Sequence, residues 1–360
     1  MTSSDSNNGS GWFGKAAARM HDNFLWLLVA SYLLAAVAPG PGLAIRGMSY
    51  TRSTGDEISA PLLLLALLLF CAAAVVRWSQ VRDLLGRPGI LLLSLLAVWI
   101  VPGAFVSLLG WLLPAALGDH VSAGMMVGLA LVAAMPVANS SVAWTQNAHG
   151  NVALGLGLIV LTIVLSPLAT PQMLKLMGLS LSAEETRHCM TLVNRFSGMF
   201  FIIWVILPSV AGLVCNRLAG PERIAKARGW LRLISAVTLL TLNYANASLA
   251  MPKLFDNKDY ASILLSAVMA LTISLLGFAS AWVISRLWKL DQATWISLIF
   301  GFSMKHTGLA LVLAGEVLQD EPQAILIIVQ ATLLQHIVAG MVDRWLGSNG
   351  HEKVAEVHTA

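Results

Sequence analysis

The chain has 360 residues, 57% of them hydrophobic and only 11% charged, with a formal net charge of +4. Soluble domains carry about 25% charged residues, so a soluble enzyme and a nucleic-acid binder are both excluded. Cys71, Cys189 and Cys215 lie in or beside apolar runs at no metal-ligand spacing, so they read as small buried hydrophobes rather than a disulfide framework or metal centre.

Residues 1–23, rich in Ser, Asn and Gly, predict a disordered or interfacial cytoplasmic lead-in. Lys15 and Arg19 ahead of Phe24–Ala38 imitate a signal peptide, but cleavage would leave nine spans and upset the charge balance. Apolar stretches long enough to cross a bilayer, about 17–25 residues, follow at 24–43, 59–79, 89–115, 122–148, 152–176, 189–215, 230–250, 260–287, 293–318 and 323–346. These make an all-α integral membrane protein of ten spans, with residues 347–360 as a cytoplasmic tail too short to be a domain. The fourth span is interrupted by Pro136-Val137-Ala138-Asn139-Ser140-Ser141. The ninth is interrupted by Ser303-Met304-Lys305-His306-Thr307-Gly308. Backbone released from a helix inside a bilayer finds no water, so it persists only where protein buries it or a polar cavity meets it. A pair of broken helices in corresponding halves points to a transporter's binding site. A lysine held in one of them is functional by default.

Charge distribution gives the orientation. With a cytoplasmic N-terminus, the inner segments hold 14 Lys and Arg residues and the outer segments 6, while Arg195 and Lys305 fall in helices. The positive-inside rule then puts both termini in the cytoplasm of the cell (inner) membrane, as an even span count also requires. The spacing shows a repeat. Phe24 to Asn139 is 115 residues, and Cys189 to Met304 is also 115. Each half holds five spans with the break in its fourth. Because five is odd, the two copies are inverted, and helices 4 and 9 cross antiparallel near the midplane. Half-helix N-termini then bring free N–H groups and positive dipole ends together, a setting for an anion.

Pro136–Pro171 reads PVANSSVAWTQNAHGNVALGLGLIVLTIVLSPLATP. It resembles the bile acid:sodium symporter family, which has a polar fourth-helix break, an Arg-Gly-Asn-Val-Ala-Leu-Ser junction and a Ser-Pro-Leu-x-Thr-Pro ending. Here the junction is His149-Gly150-Asn151-Val152-Ala153-Leu154-Gly155 and the ending Ser166-Pro167-Leu168-Ala169-Thr170-Pro171. Met304-Lys305-His306-Thr307-Gly308-Leu309 is similar to the family's ninth-helix Met-Gln-Asn-Ser-Gly-Leu, and His336 with Gly340 to its tenth-helix His-Asn-Ile-Ser-Gly. The resemblance implies a panel, about 24–79 and 189–250, rocking against a core, about 89–176 and 260–346. It also implies organic-anion transport driven by sodium.

The sodium ligands are where this chain departs. Their positions become Ser141, Val142, Gly155, Ile159 and Gly301, of which Ser141 alone keeps a ligating side chain, and Lys305 replaces a second-site Gln. An ammonium would repel a sodium ion by roughly 4 kcal/mol at about 4 Å and an effective dielectric near 20. The expectation is that the Lys305 ammonium stands in for the cation. The plainer alternative has Lys305 snorkelling to headgroups. By resemblance, Asn139 and His306 occupy substrate-contacting positions. Their other role, open also to Ser140, Ser141, Ser303 and Thr307, is to satisfy broken-helix backbone. His306 is a candidate proton carrier, which makes the proton a candidate coupling ion. Gln330, Gln335 and His336 are expected to bond between helices, and Arg195 to lie at an interface.

The leading expectation is a secondary transporter of a small organic anion, a carboxylate or sulfonate, independent of sodium and without cofactor. Two alternatives stay open: a non-transporting binding or sensor protein on the same fold, and a sodium:organic anion symporter with rebuilt ligands. An enzyme is not expected, since the spans offer no His-Glu-x-x-His pair and no carboxylate cluster.

Overall fold

In the computed structural model, residues 23–51, 57–75, 88–117, 122–196, 199–257 and 260–359 are described. The expected lead-in up to residue 22 lies outside them, as do Arg52, Arg77, Arg82, Arg87 and Lys258. The apolar runs form α1 (Phe24–Val37), α2 (Pro39–Gly47), α3 (Ala60–Ala74), α4 (Pro88–Leu117), α5 (Ala123–Ala134), α6 (Ser140–Asn147) and α7 (Val152–Gly178). They continue as α8 (Ala183–Phe196), α9 (Leu207–Asn257), α10 (Tyr260–Leu287), α11 (Gln292–Ser303), α12 (Thr307–Val317) and α13 (Pro322–Thr359). A helical turn at Met199–Phe201 and a π-helical stretch at Ile202–Ile206 lead into α9. Five helical stretches, α4, α7, Ile202–Leu249, α10 and α13, are long and apolar enough to cross a membrane, and the bent pair α1 and α2 makes a sixth. Leu92, Leu96, Ile100, Leu168, Leu264 and Val268 point outward and exposed. Apolar surface of that extent suits lipid, not water. This is a multi-pass α-helical membrane protein.

Local chemistry explains the boundaries. Ser122, Asn151 and Asp291 cap α5, α7 and α11, accepting from Met125 N at 3.2 Å, Leu154 N at 3.1 Å and Thr294 N at 2.9 Å. A reciprocal capping box opens α8: Glu185 Oε2 accepts from Ser182 N at 2.6 Å, and Ser182 Oγ from Glu185 N at 3.3 Å.

Several expectations change. The first span is not straight, because α1 and α2 meet at 92° across Ala38, where Pro39 cannot continue the donor ladder. The stretch between the predicted sixth and seventh spans, residues 216–229, is helical rather than a loop, as is its flank to Arg232. The only interruption is Gly220, at φ 79° with nothing within 4 Å of where a Cβ would stand, followed by Pro221. A glycine in the left-handed region followed by a helix-starting proline ends one helix and begins the next. The tail expected after residue 346 continues α13 to Thr359. A small antiparallel hairpin, β1 (Ser49–Thr51) and β2 (Glu57–Ser59), joins α2 to α3, with Tyr50 opposite Ile58. The predicted boundary at residue 189 cuts through α8, which packs on α7 and α5.

Packing keeps neighbours together. α9 lies on α1, α2 and α3, while α13 lies on α5, α10 and α12. The two ends of the molecule are segregated. At one end Arg46 donates to Asn246 Oδ1 at 2.8 Å and to the Gly315 carbonyl, and Arg195 pairs with Glu316 at 3.1 Å. At the other, Arg232 donates to Gln146 Oε1 at 2.9 Å, and Asn151 N to Ala293 O at 2.9 Å.

Candidate functional site

Both predicted breaks are gaps between helices, residues 135–139 separating α5 from α6 and residues 304–306 separating α11 from α12. The gaps touch. Val137 and Lys305 form an antiparallel bridge, with Ala138 N donating to Met304 O and His306 N to Pro136 O, each at 2.9 Å. Their side chains share one face, and the outward peptide groups need other partners. Gln335 of α13 supplies one set. Its Oε1 accepts from Lys305 N at 2.9 Å and its Nε2 donates to Lys305 O at 3.3 Å, so one amide side chain replaces a third strand. Thr162 of α7 supplies the other, its Oγ1 accepting from Val137 N at 3.2 Å and donating to Leu158 O at 2.7 Å. Val137 N and both peptide groups of Lys305 are thereby served by protein, as the absence of water demands.

The Lys305 side chain is 1% exposed. Its Nζ donates to the carbonyl of Val98 on α4 and to that of Met135 at 3.3 Å. Met135 is the residue just after α5, so the amine sits at the negative end of that helix's dipole. Two further donors close the same end: Trp99 Nε1 at 3.1 Å and Thr170 Oγ1 at 2.8 Å, both to Ala134 O. Lys305 therefore does not snorkel; it is aimed into the packed helices.

His306 is 4% exposed and caps α12, Nδ1 accepting from Leu309 N at 3.2 Å. A ring nitrogen that accepts carries no proton, so the hydrogen of the neutral ring lies on Nε2. Asn139 lies 3.5 Å from that nitrogen, and turning its amide so that Oδ1 accepts would also serve an oxygen otherwise without a partner. To take up a proton the ring would have to use Nδ1, the nitrogen that accepts from Leu309 N, so any proton-carrying role would break the cap of α12.

The structure thus places Asn139, Lys305 and His306 together at the crossing, with Thr307 Oγ1 3.4 Å from Gln335 Nε2. Ser141 and Ser303, each 1% exposed, hold hydroxyls with no partner among the described residues. Asn139 and Ser140 are half-buried, while Ser141, Ser303, Lys305, His306 and Thr307 are buried. Two of the positions that the resemblance matches to sodium ligands, Gly155 and Gly301, face apolar side chains. A Cβ on Gly155 would stand 3.4 Å from Val142, and one on Gly301 3.2 Å from Leu158, next to Ile159. Of the helix-to-helix bonds expected of α13, Gln335 makes its own as above, and Gln330 donates to Ile263 O of α10 at 3.0 Å. His336 bonds Thr332 of its own helix at 2.7 Å. Arg195 is exposed and paired with Glu316 at one end of the molecule, away from the crossing.

Thr162 and Val98 went unmarked in the sequence, because a threonine or a valine in an apolar helix gives no signal of its own.

Compared with known proteins, residues 22–351 match the SBF-like CPA transporter family. The uncharacterized protein YbaS of Bacillus subtilis is 30% identical over 281 residues, 77% of this chain and 85% of that protein. The same organism's uncharacterized sodium-dependent transporter YocS is 23% identical over 277 residues, 75% and 78% of the two chains.

Proposed function

The chain belongs to the SBF-like CPA transporter family, and from that premise we propose a secondary transporter that moves a small organic anion by alternating access without sodium. One observation carries the reading: the two helix breaks meet in an antiparallel bridge, and a lysine amine rather than a free ion occupies the carbonyl oxygens behind it. Ten spans follow if α1 with α2, α5 with α6, and α11 with α12 each count once and Gly220 divides the long run through α9. Two inverted five-span repeats would then place the bridge on the pseudo-twofold axis. The half-buried rim, Asn139 and Ser140 at the start of α6, offers amide, hydroxyl and helix N-terminus to a carboxylate or sulfonate. Ser141, Ser303, His306 and Thr307 stand behind it.

Sodium independence rests on chemistry at the former ligand positions. Val142, Gly155, Ile159 and Gly301 bring no side-chain oxygen, and the Lys305 amine, when charged, opposes a second cation. Rocking of the panel against the core would break and remake the bonds at the two ends, Arg46 to the end of α12 on one side and Arg232 to Gln146 on the other. The charge bias favours cytoplasmic termini in the cell (inner) membrane. A second reading, sodium-coupled transport, draws on the name of the relative YocS. Uptake of radiolabelled small carboxylates and sulfonates into proteoliposomes decides between them. Replacing sodium by potassium should leave uptake largely unchanged; a steep, sigmoidal sodium dependence would overturn the proposal.

A further inference from the structure

Pro102 lies buried in the middle of α4. A helical proline has no N–H for the carbonyl four residues earlier, and in α4 that carbonyl belongs to Val98. Val98 is 1% exposed, so solvent cannot serve it. The same situation arises at Pro167 in α7, where the neighbouring Ser166 Oγ donates to Ile163 O at 2.7 Å and the defect is repaired within the helix. Around Pro102 the residues Val98, Trp99, Ile100 and Val101 include no hydroxyl, and the one donor among them, Trp99 Nε1, is spent on Ala134 O. The Val98 carbonyl is served instead by Lys305 Nζ, from a residue 207 positions away in sequence.

We propose that Pro102 is a positioning residue: by opening the Val98 carbonyl it builds, with Met135 O, a two-carbonyl receptor that fixes the Lys305 amine against α4 and α5. This deepens the reading of Lys305 as a tethered cation and rests on it for its functional meaning. The receptor is made of backbone, so its position follows from the helices. Residue 305 must then bring a donor of lysine's reach. The bridge at Val137 fixes one side of residue 305 and the receptor fixes the other, so the crossing, α4 and α5 are held as one piece.

A thermal-unfolding cycle on detergent-purified protein tests this with Pro102→Ala, Lys305→Met and the pair. Alanine returns an N–H to Val98 O, so in the Lys305→Met background Pro102→Ala should raise the midpoint by several degrees. With Lys305 present the same change should raise it clearly less, or lower it, because the amine and the new N–H compete for one oxygen. A proline with a merely structural role would give the same shift whichever residue stands at 305, and that additivity would overturn the proposal. Should Lys305→Met alone fail to fold, recovery of folded protein in the pair is the expected result. Loss persisting in the pair, and also when Lys305→Gln is used in its place, would overturn the proposal. The cycle needs neither substrate nor ion gradient, so sodium-dependent uptake would sink the coupling proposal and leave this result standing or falling by itself.

Discussion

Lys305 shows how much one residue depends on its surroundings. A side chain with 1% exposure and no carboxylate bonded to it among the described residues is kept by two carbonyls and the end of a helix dipole. Lys305→Ala should leave the Val98 and Met135 carbonyls unserved, at a cost of about 1–3 kcal/mol for each such group. Uptake at matched protein amounts should fall sharply, together with the unfolding midpoint in detergent. Lys305→Arg keeps the charge but forces a larger planar head into a closed site, where overpacking costs about 1–3 kcal/mol; it should also lose uptake. Full activity of Lys305→Ala would return the residue to the role of a bystander.

Elements meet here through small residues rather than through amphipathic stripes. Gly277 of α10 presses on the end of α11, where an added Cβ would lie 2.5 Å from Ser303 Cα and 2.6 Å from Phe302 O. Close approach of backbones is what small residues provide in membrane helices. Gly277→Ala should therefore push α10 away from the break and lower stability by about 1–3 kcal/mol. Gly47→Ala, with open space around it, is the control and should be near neutral. Equal midpoints for the two variants in a thermal melt would show that this contact is not what seats α11. The same logic explains why the starts of α7 and α11 were readable while packing was not. The caps Asn151 and Asp291 lie in their own helices' sequence, but Gly277 meets a segment some 26 residues farther on.

At the scale of the molecule, the membrane sets the rules. Basic residues divide 14 to 6 between the two sides under the ten-span reading, and the polar contacts of the structure likewise gather at two ends. Reporter fusions inserted at Gly220, where the structure leaves open space, and at Ala360 should both report the cytoplasm. Opposite sides for the two fusions would remove the ten-span arrangement.

Hydropathy alone was enough to establish a helical membrane protein, because a bilayer leaves the backbone few other ways to satisfy itself. The polar runs at Asn139 and Lys305 marked the two breaks for the same reason, since such residues are rare at that depth. The sequence also held the motifs that tie the chain to its family. It did not say that the breaks pair as strands, that Gln335 and Thr162 close their outer edges, or that the Lys305 amine ends on Val98 and Met135. Nor did it bend the first span at Ala38 or carry helix through Arg217–Arg232. Local pattern decides which backbone groups are left without partners. Only the folded arrangement decides who serves them, because the donors come from helices far away in sequence and brought near by packing.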